Sequence, residues 1–468
     1  MGISYSEALL LIESVAKLHR ALRRDNDAYI ELENAVGRVV AEDIVSPEAT
    51  PAVDTSAMDG YAIQSHKTAG ASPQKPARFR VLGRIRAGEA PWAEDRELSD
   101  ESFENDASPC IEIMTGGIFP AGFDACVKYE DTKTACRNRN GLASEILVGK
   151  PLLHNANKRL AGSDIAKGQV VVKAGTTLQS HHVLPLASLG IEAVPVVKDP
   201  GVAVYSTGDE FVASEPWLPR DTNTPYLISA LLDMSVSAFS LGALSDDERQ
   251  VYHGLEAALA EGHDMILTSG GVSKGRFDHV ASVLGNLDGV HIVFHGVSMR
   301  PGHPVLFAYM AAGRDEAGNP RTIVPIFCLP GNPGAAAACF RFLVVPYLRI
   351  LRSQPSEVPL IARLQQRPSA ATATDSNMKA SVNGHSHIDG VQPPPLDRFQ
   401  HGVLMATEQG ELVARPSEEQ SPAKLGPYAS ASCWIHNKPL GSSKLDAGLV
   451  ECYPISPGKG LFPCPWVR

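Results

Sequence analysis

None of the eight cysteines pairs with another as C-x-x-C, so the clustered spacing that zinc sites need is missing. The cysteines fall at positions 110, 126, 136, 328, 339, 433, 452 and 464, in apolar or strand-like contexts. That scatter reads as reduced structural thiols in a cytoplasmic protein. No apolar run approaches the ~20 residues of a membrane span, and no secretory apolar segment opens the chain. Positive charge is not in excess either. With 42 Lys and Arg against 52 Asp and Glu, the formal net charge is −10. Binders of a phosphate backbone usually show a basic face, so nucleic acid is not an expected partner, although local basic pockets stay open. No internal repeat is visible.

What remains is an ordinary globular composition, 44% apolar and 20% charged over 468 residues, too long for one core. Met1-Gly2-Ile3-Ser4-Tyr5-Ser6 fits a loose myristoylation pattern. Ser4 and Glu7, however, have the spacing of a capping box before an apolar-periodic stretch, which predicts a helix over 4–23. Short β-type runs at 78–82, 111–114 and 125–129, separated by Gly and Pro turns, predict a β-rich domain. Between 181 and 352 apolar strands alternate with helical stretches such as Pro225 to Met234 and Asp246 to Ala260. This alternation predicts βαβ units and a mostly parallel sheet. Residues 353–395 are rich in Ser, Ala, Asn and Pro and read as a flexible insertion. After them, short strands at 402–407, 411–415, 432–436 and 449–453 fit a small β-barrel.

Chemistry concentrates in two kinds of segment. Thr207-Gly208, Ser269-Gly270-Gly271-Val272-Ser273 and Pro330-Gly331-Asn332 are small-residue turns after predicted strands. Such turns let backbone N–H groups and hydroxyls approach an anion closely, and they lie where parallel sheets bind ligands. Asp54-Thr55-Ser56-Ala57-Met58-Asp59-Gly60-Tyr61-Ala62 is the second kind, with two carboxylates five apart and a glycine for a tight backbone. Taken singly, each of these segments is more often structural than functional.

Taken together they resemble the MoeA/gephyrin E-domain family. Ser56-Ala57-Met58-Asp59-Gly60-Tyr61-Ala62 is nearly identical to that family's most distinctive signature. Met114-Thr115-Gly116-Gly117 through Asp124-Ala125, Arg159-Leu160-Ala161-Gly162-Ser163-Asp164-Ile165, Ser206-Thr207-Gly208-Asp209-Glu210 and Asp221-Thr222-Asn223 follow in the family's order. Ser269 to Ser273 with Gly275 and Asp278, and Leu329-Pro330-Gly331-Asn332-Pro333, complete the set. The resemblance implies a multi-domain α/β protein with a central MogA-like α/β domain at 181–352. Around it would lie a helical/extended linker domain (1–48 and 146–180), an inserted β-rich domain (49–145), a flexible linker (353–395) and a C-terminal β-barrel (396–468). It implies a homodimer, with an adenylyltransferase as a further partner. The implied activity is molybdopterin molybdenumtransfer: molybdate enters adenylylated molybdopterin and AMP leaves. Asp59, Asp164, Glu210, Asp246 and Asp278 would be the catalytic acids, the last three also holding Mg²⁺. Thr115, Arg159, Thr207, Gly208, Asp209, Asn223, Ser269, Gly270, Gly271, Ser273, Arg300, His303, Pro330, Gly331 and Asn332 would bind the pterin nucleotide and molybdate.

The chain departs from the family at its basic residues. The M-K-P-G-K-P segment reads Met299-Arg300-Pro301-Gly302-His303-Pro304 here, and it follows His295-Gly296. The F-x-R-G segment reads Phe399-Gln400-His401-Gly402. Molybdate needs fixed donors, preferably Arg or Lys, whereas histidine is charged only conditionally. Two other functions follow from this departure and from the α/β domain respectively: a non-catalytic pterin-binding or scaffolding relative, and the upstream adenylyltransferase.

Overall fold

A computed structural model describes residues 2–23, 27–90, 107–212, 217–245, 247–272, 280–314, 320–365, 395–439, 448–458, 460 and 464–465. The helix Tyr5–Leu22 starts where the capping residues place it, Ser4 accepting a hydrogen bond from the Glu7 N–H at 3.2 Å. Its buried residues Tyr5, Ala8, Ile12, Val15, Ala16 and His19 recur at helical spacing. That face packs on the central sheet and on the helix Val345–Leu351. Gly2 is wedged against Gly296 and His303: a Cβ there would lie 2.9 Å from the Gly296 carbonyl carbon. Buried His19 meets the Tyr347 hydroxyl at 2.9 Å, and burial pushes its imidazole down to about 4, keeping it neutral.

The central sheet has six strands, in the order Ser237–Leu244, Gly201–Thr207, Met265–Ser269, Pro320–Leu329, Leu306–Arg314 and Val290–His295. The first three junctions are parallel and the last two antiparallel. Alternate residues feed two cores. Val202, Val204, Met265 and Leu267 face the N-terminal helix and Pro333–Leu351, whereas Ala203, Tyr205 and Ile266 face the helix Glu248–Ala260. Burial on both faces is why these strands read as unbroken apolar runs. Within Pro333–Leu351, length and mean hydropathy would suit a membrane span, but 83% of the window is buried inside the protein. The expectation that no segment approaches a span is corrected to that extent: this is the core helix of the α/β layer.

A second six-stranded sheet joins Ala125–Lys128, Gly60–Ile63, Ser108–Ile113, Ala77–Ile85, Ala143–Val148 and Thr132–Arg137. Two short antiparallel pairs, Asp27–Glu31 with Ala193–Val197 and Ile44–Val45 with Val170–Val172, share a separate core with the helix Ser180–Ser188. The C-terminal strands form a closed barrel in the order Asp397–Ala406, Leu412–Pro416, Leu360–Leu364, Leu449–Pro454 and Cys433–Asn437, the last pairing back onto the first. One expectation is corrected here. Leu360–Leu364, assigned to the flexible insertion, is a barrel strand pairing on both sides. Its five residues were masked by the Ser- and Ala-rich composition averaged over the longer stretch.

Candidate functional site

Three glycine turns emerge from neighbouring parallel strands. Ser206 pairs with Ser269, and Ser269 with Leu329, so the chain leaves all three strands at one sheet edge. Thr207 donates from its hydroxyl to the Ser269 carbonyl at 3.2 Å. Asn223, buried at the start of the helix Asn223–Asp233, donates from Nδ2 to Ser269 Oγ at 2.6 Å and to the Gly331 carbonyl at 2.9 Å. Asp221 Oδ1 accepts from the Asn223 and Thr224 N–H groups at 3.0 and 3.1 Å, fixing that helix start. One asparagine thus ties two of the turns together.

Glycine is required at Gly270. Its φ is +105°, and a Cβ would lie 2.5 Å from Thr207 Oγ1 and 2.7 Å from the Thr207 carbonyl oxygen. Gly331 packs close by, its hypothetical Cβ 3.6 Å from the Gly270 Cα. Gly208 is covered by the Glu210 carboxylate, and Asp209 is exposed beside it. Gly271 abuts Val280, Pro330 is buried, and Asn332 is the N-cap of Pro333–Cys339 with no cap hydrogen bond from its side chain. Asp246, Ser273 and Asp278 lie outside the described residues. Immediately after Asp246, Asp247 caps the helix Glu248–Ala260 by accepting from Arg249 and Gln250. Among the described residues no three His, Cys, Asp or Glu groups are placed to hold a metal ion.

The acid signature lies on the second sheet. Gly60 lets the strand pass against the Val127 carbonyl, where any Cβ would collide. Asp59 is exposed, and its Oδ1 accepts from the Thr115 N–H at 2.7 Å and the Thr115 hydroxyl at 2.8 Å. Those two bonds hold its carboxyl below its ordinary value, so it is ionised near neutral pH. Arg159 and Asp164 are exposed and 3.9 Å apart, a pairing too loose to fix either. Sequence reasoning missed a lock behind them: Lys158, 2.8 Å from Asp54 Oδ2 and stacked over Phe119, anchors the pairing of Thr55–Ser56 with Lys158–Arg159. Asp59 and Thr115 thus sit together on this sheet, apart from the glycine turns of the α/β layer.

A third region is a cleft of about 800 Å³ lined by Arg300, Pro301, Arg398, Gln400, Gln420 and Ser421, with Glu418 and Glu419 also on its wall. Arg300 and Arg398 are paired in register between the strands Met299–Arg300 and Asp397–Ala406. Arg398 is the residue that motif matching missed. Along this strand Asp397, Phe399 and His401 are buried while Arg398 is exposed, so the period-2 alternation aims 398, not 401, at the cleft. His401 bonds Ser417 Oγ at 2.9 Å and packs on Tyr428, and burial lowers its basicity, so it brings no cation to an anion. His303 donates from Nδ1 to the Val297 carbonyl at 2.7 Å, leaving Nε2 as its outward nitrogen. Gly296, at φ +92°, faces Gly2 and His303 and presents no charge.

Comparison with known proteins agrees with this layout. Residues 3–190 match the MoeA N-terminal region (domains I and II), and residues 203–350 a probable molybdopterin-binding domain. A molybdopterin molybdenumtransferase from Synechococcus elongatus is 32% identical over 360 residues, covering 76% of this chain and 82% of the relative. Those of Haemophilus influenzae and Bacillus subtilis are 30% and 27% identical, over 87% and 90% of this chain and 88% of each relative. The fold is that of the molybdopterin biosynthesis MoeA protein of Pyrococcus horikoshii OT3, with a TM-score of 0.70 at 24% identity over 97% of this chain and all of that one. Glycine turns at one sheet edge, the Asp59 signature, the closed barrel and the extent of these matches lead to one conclusion: the chain belongs to the MoeA/gephyrin E-domain family of molybdopterin molybdenumtransferases.

Proposed function

We propose that the protein inserts molybdate into adenylylated molybdopterin and releases AMP. The observation that carries this reading is the set of interlocked turns at Thr207-Gly208, Ser269-Gly270 and Gly331. They offer small-residue backbone to a phosphoanhydride, with Asp209, Gly271, Pro330 and Asn332 beside them, and the family resemblance adds Ser273, outside the described residues, to the binding set. Molybdate, a tetrahedral dianion, goes to Arg300 and Arg398, with His303 alongside. Arginine forks hold such oxyanions through charge-assisted hydrogen bonds. Glu210 with Asp246 and Asp278 are the hard oxygen donors that suit Mg²⁺, which when bound would neutralise charge at the phosphoanhydride.

Asp59 and Asp164, with Thr115 and Arg159, complete the site from the second subunit of a homodimer. Asp59, ionised and exposed, positions the attacking water. The substrate is the product of an adenylyltransferase, which makes that enzyme the natural partner. We assign the protein to the cytoplasm, in keeping with cysteines scattered along the chain without paired spacing.

Incubation with adenylylated molybdopterin, Mg²⁺ and molybdate should release AMP only when molybdate is present. Tight binding of the nucleotide without that release would mean a scaffolding relative instead. Asp59→Asn should slow AMP release by about 100-fold or more, the scale of a lost acid–base group, with little change in melting temperature because the asparagine Oδ1 can still accept both bonds from Thr115. A variant retaining near-normal rates would remove Asp59 from the mechanism. Arg398→Gln should raise the KM for molybdate about tenfold, since one charged hydrogen bond amounts to about 1.5–3 kcal/mol. His401→Asn, measured in parallel, should leave that KM within about twofold. The reverse order would return the oxyanion to position 401.

A further inference from the structure

Behind the two arginines lies a buried charged network that the proposed reaction does not use. His436, on the strand Cys433–Asn437, is only 4% exposed at its side chain. Its Nε2 is 2.7 Å from Asp397 Oδ1 and its Nδ1 is 3.2 Å from Glu451 Oε2. Ionised carboxylates only accept hydrogen bonds, so both ring nitrogens must carry protons for both bonds to form. The ring stacks on Phe399 at 4.4 Å and takes the edge of Tyr5 at 5.5 Å.

Among the described residues, further polar groups gather around it. Lys438 Nζ reaches Glu451 Oε1 at 2.5 Å, and the Tyr453 hydroxyl donates to Glu451 Oε2 at 3.0 Å. Tyr5 comes from the N-terminal helix, while Arg341 lies over Tyr453 and is paired with Glu357. Two cations therefore face two carboxylates at the centre of the network. Burial alone would strip the proton from His436, but the bonds to Asp397 and Glu451 outweigh it, and the imidazole is held above its ordinary value. Burial likewise opposes ionisation of Glu451, yet His436 and Lys438 bring its carboxyl down to about 2.

The network touches the cleft through one residue. Asp397 precedes Arg398, pairs in register with Met299, and donates its N–H to the Ser298 carbonyl at 3.1 Å. The strand Met299–Arg300 has two residues and, among the described strands, pairs only with Asp397–Ala406. Its alignment therefore depends on the first residues of that neighbour. We propose that His436, as an imidazolium clamped between Asp397 and Glu451, is a positioning residue that sets Arg398 and, through the strand pairing, Arg300 for the oxyanion. The inference rests on the reading that this cleft takes molybdate. Loss of the proton turns one ring nitrogen into a lone pair facing a carboxylate, so one of the two arms of the clamp, to Asp397 or to Glu451, is broken. The sign follows: the contribution is complete below the ordinary histidine value of about 6.5 and disappears as pH rises through the folded-state value.

The test is molybdate titration of the full-length protein by calorimetry at several pH values, with His436→Gln and Asp397→Asn in parallel. Wild-type affinity should hold on the acid side of neutrality and then fall about tenfold with the deprotonation of His436. Nitrogen NMR of labelled histidine should locate that deprotonation and show both ring nitrogens protonated below it. His436→Gln should bind molybdate about tenfold more weakly without the pH step, and bind adenylylated molybdopterin within about twofold of wild type. Unchanged molybdate affinity and pH profile in His436→Gln would overturn the positioning role alone. Wild-type protein that binds no molybdate at any pH would overturn the reading of the cleft. Should His436→Gln fail to fold, a wild-type His436 carrying one proton at pH 7 would by itself overturn the proposal.

Discussion

Gly270→Ala should weaken binding of adenylylated molybdopterin by about 100-fold or more. The substitution meets two separate obstacles. A left-handed backbone costs a non-glycine residue on the order of 1–3 kcal/mol, and φ at 270 is +105°. The new Cβ would also sit 2.7 Å from the Thr207 carbonyl oxygen, a backbone atom tied into the central sheet. Relief requires the Ser269-Gly270 turn to move away from Thr207. That movement breaks the 3.2 Å bond between the Thr207 hydroxyl and the Ser269 carbonyl and disturbs Asn223, which bridges Ser269 and Gly331. Gly262→Ala is the control. It too has a positive φ, +78°, but nothing lies within 4 Å of its Cβ, so it should lower stability by about 1 kcal/mol and leave binding alone. Equilibrium binding with denaturant unfolding separates the two. Equal effects from both alanines would mean that strain, and not the shape of the turn, governs Gly270.

Arg352→Met should destabilise the protein by about 3–5 kcal/mol, the scale for removing one partner of a buried ion pair. Arg352 is 1% exposed, donating to the Met234 carbonyl at 2.6 Å and to Asp199 Oδ1 at 3.0 Å. Arg38 holds the other oxygen of Asp199 at 3.1 Å. Burial pushes the Asp199 carboxyl up even against the pull of Arg352 and Arg38, so with Arg352 gone a poorly compensated charge remains in place. The deficit should shrink at acid pH, because a protonated Asp199 no longer needs a cation. Urea unfolding at neutral and acid pH measures both effects. A pH-independent loss would mean that Arg352 acts through its packing and its bond to Met234 alone.

The parts of this architecture legible in the sequence are those fixed by local chemistry. Ser4 caps a helix because a hydroxyl three residues before a free N–H does so in any fold. The turns at 207–208, 269–271 and 330–332 could be read because glycine after an apolar run marks a strand end. Direction was harder. Leu306–Arg314 and Pro320–Leu329 are apolar strands whose composition does not state that they pair antiparallel. Leu360–Leu364 was hidden because its partners, Val413–Ala414 and Leu449–Cys452, are far along the chain. Arg398 escaped because motif comparison weighs position 401, whereas the alternation of a strand decides which neighbour faces the cleft.

The apolar segment Pro333–Leu351 has a consequence for the order of synthesis. Its cover comes from both directions along the chain: the N-terminal helix through Tyr5, whose hydroxyl reaches the Phe342 carbonyl at 3.2 Å, and the barrel, where Phe342 meets Phe399 at 4.1 Å and Trp434 at 5.9 Å. A ribosome delivers the helix first and the barrel strands last. Until residues beyond 434 emerge, the face of this helix around Phe342 lacks its barrel cover, which makes that interval the one in which chaperones compete for it.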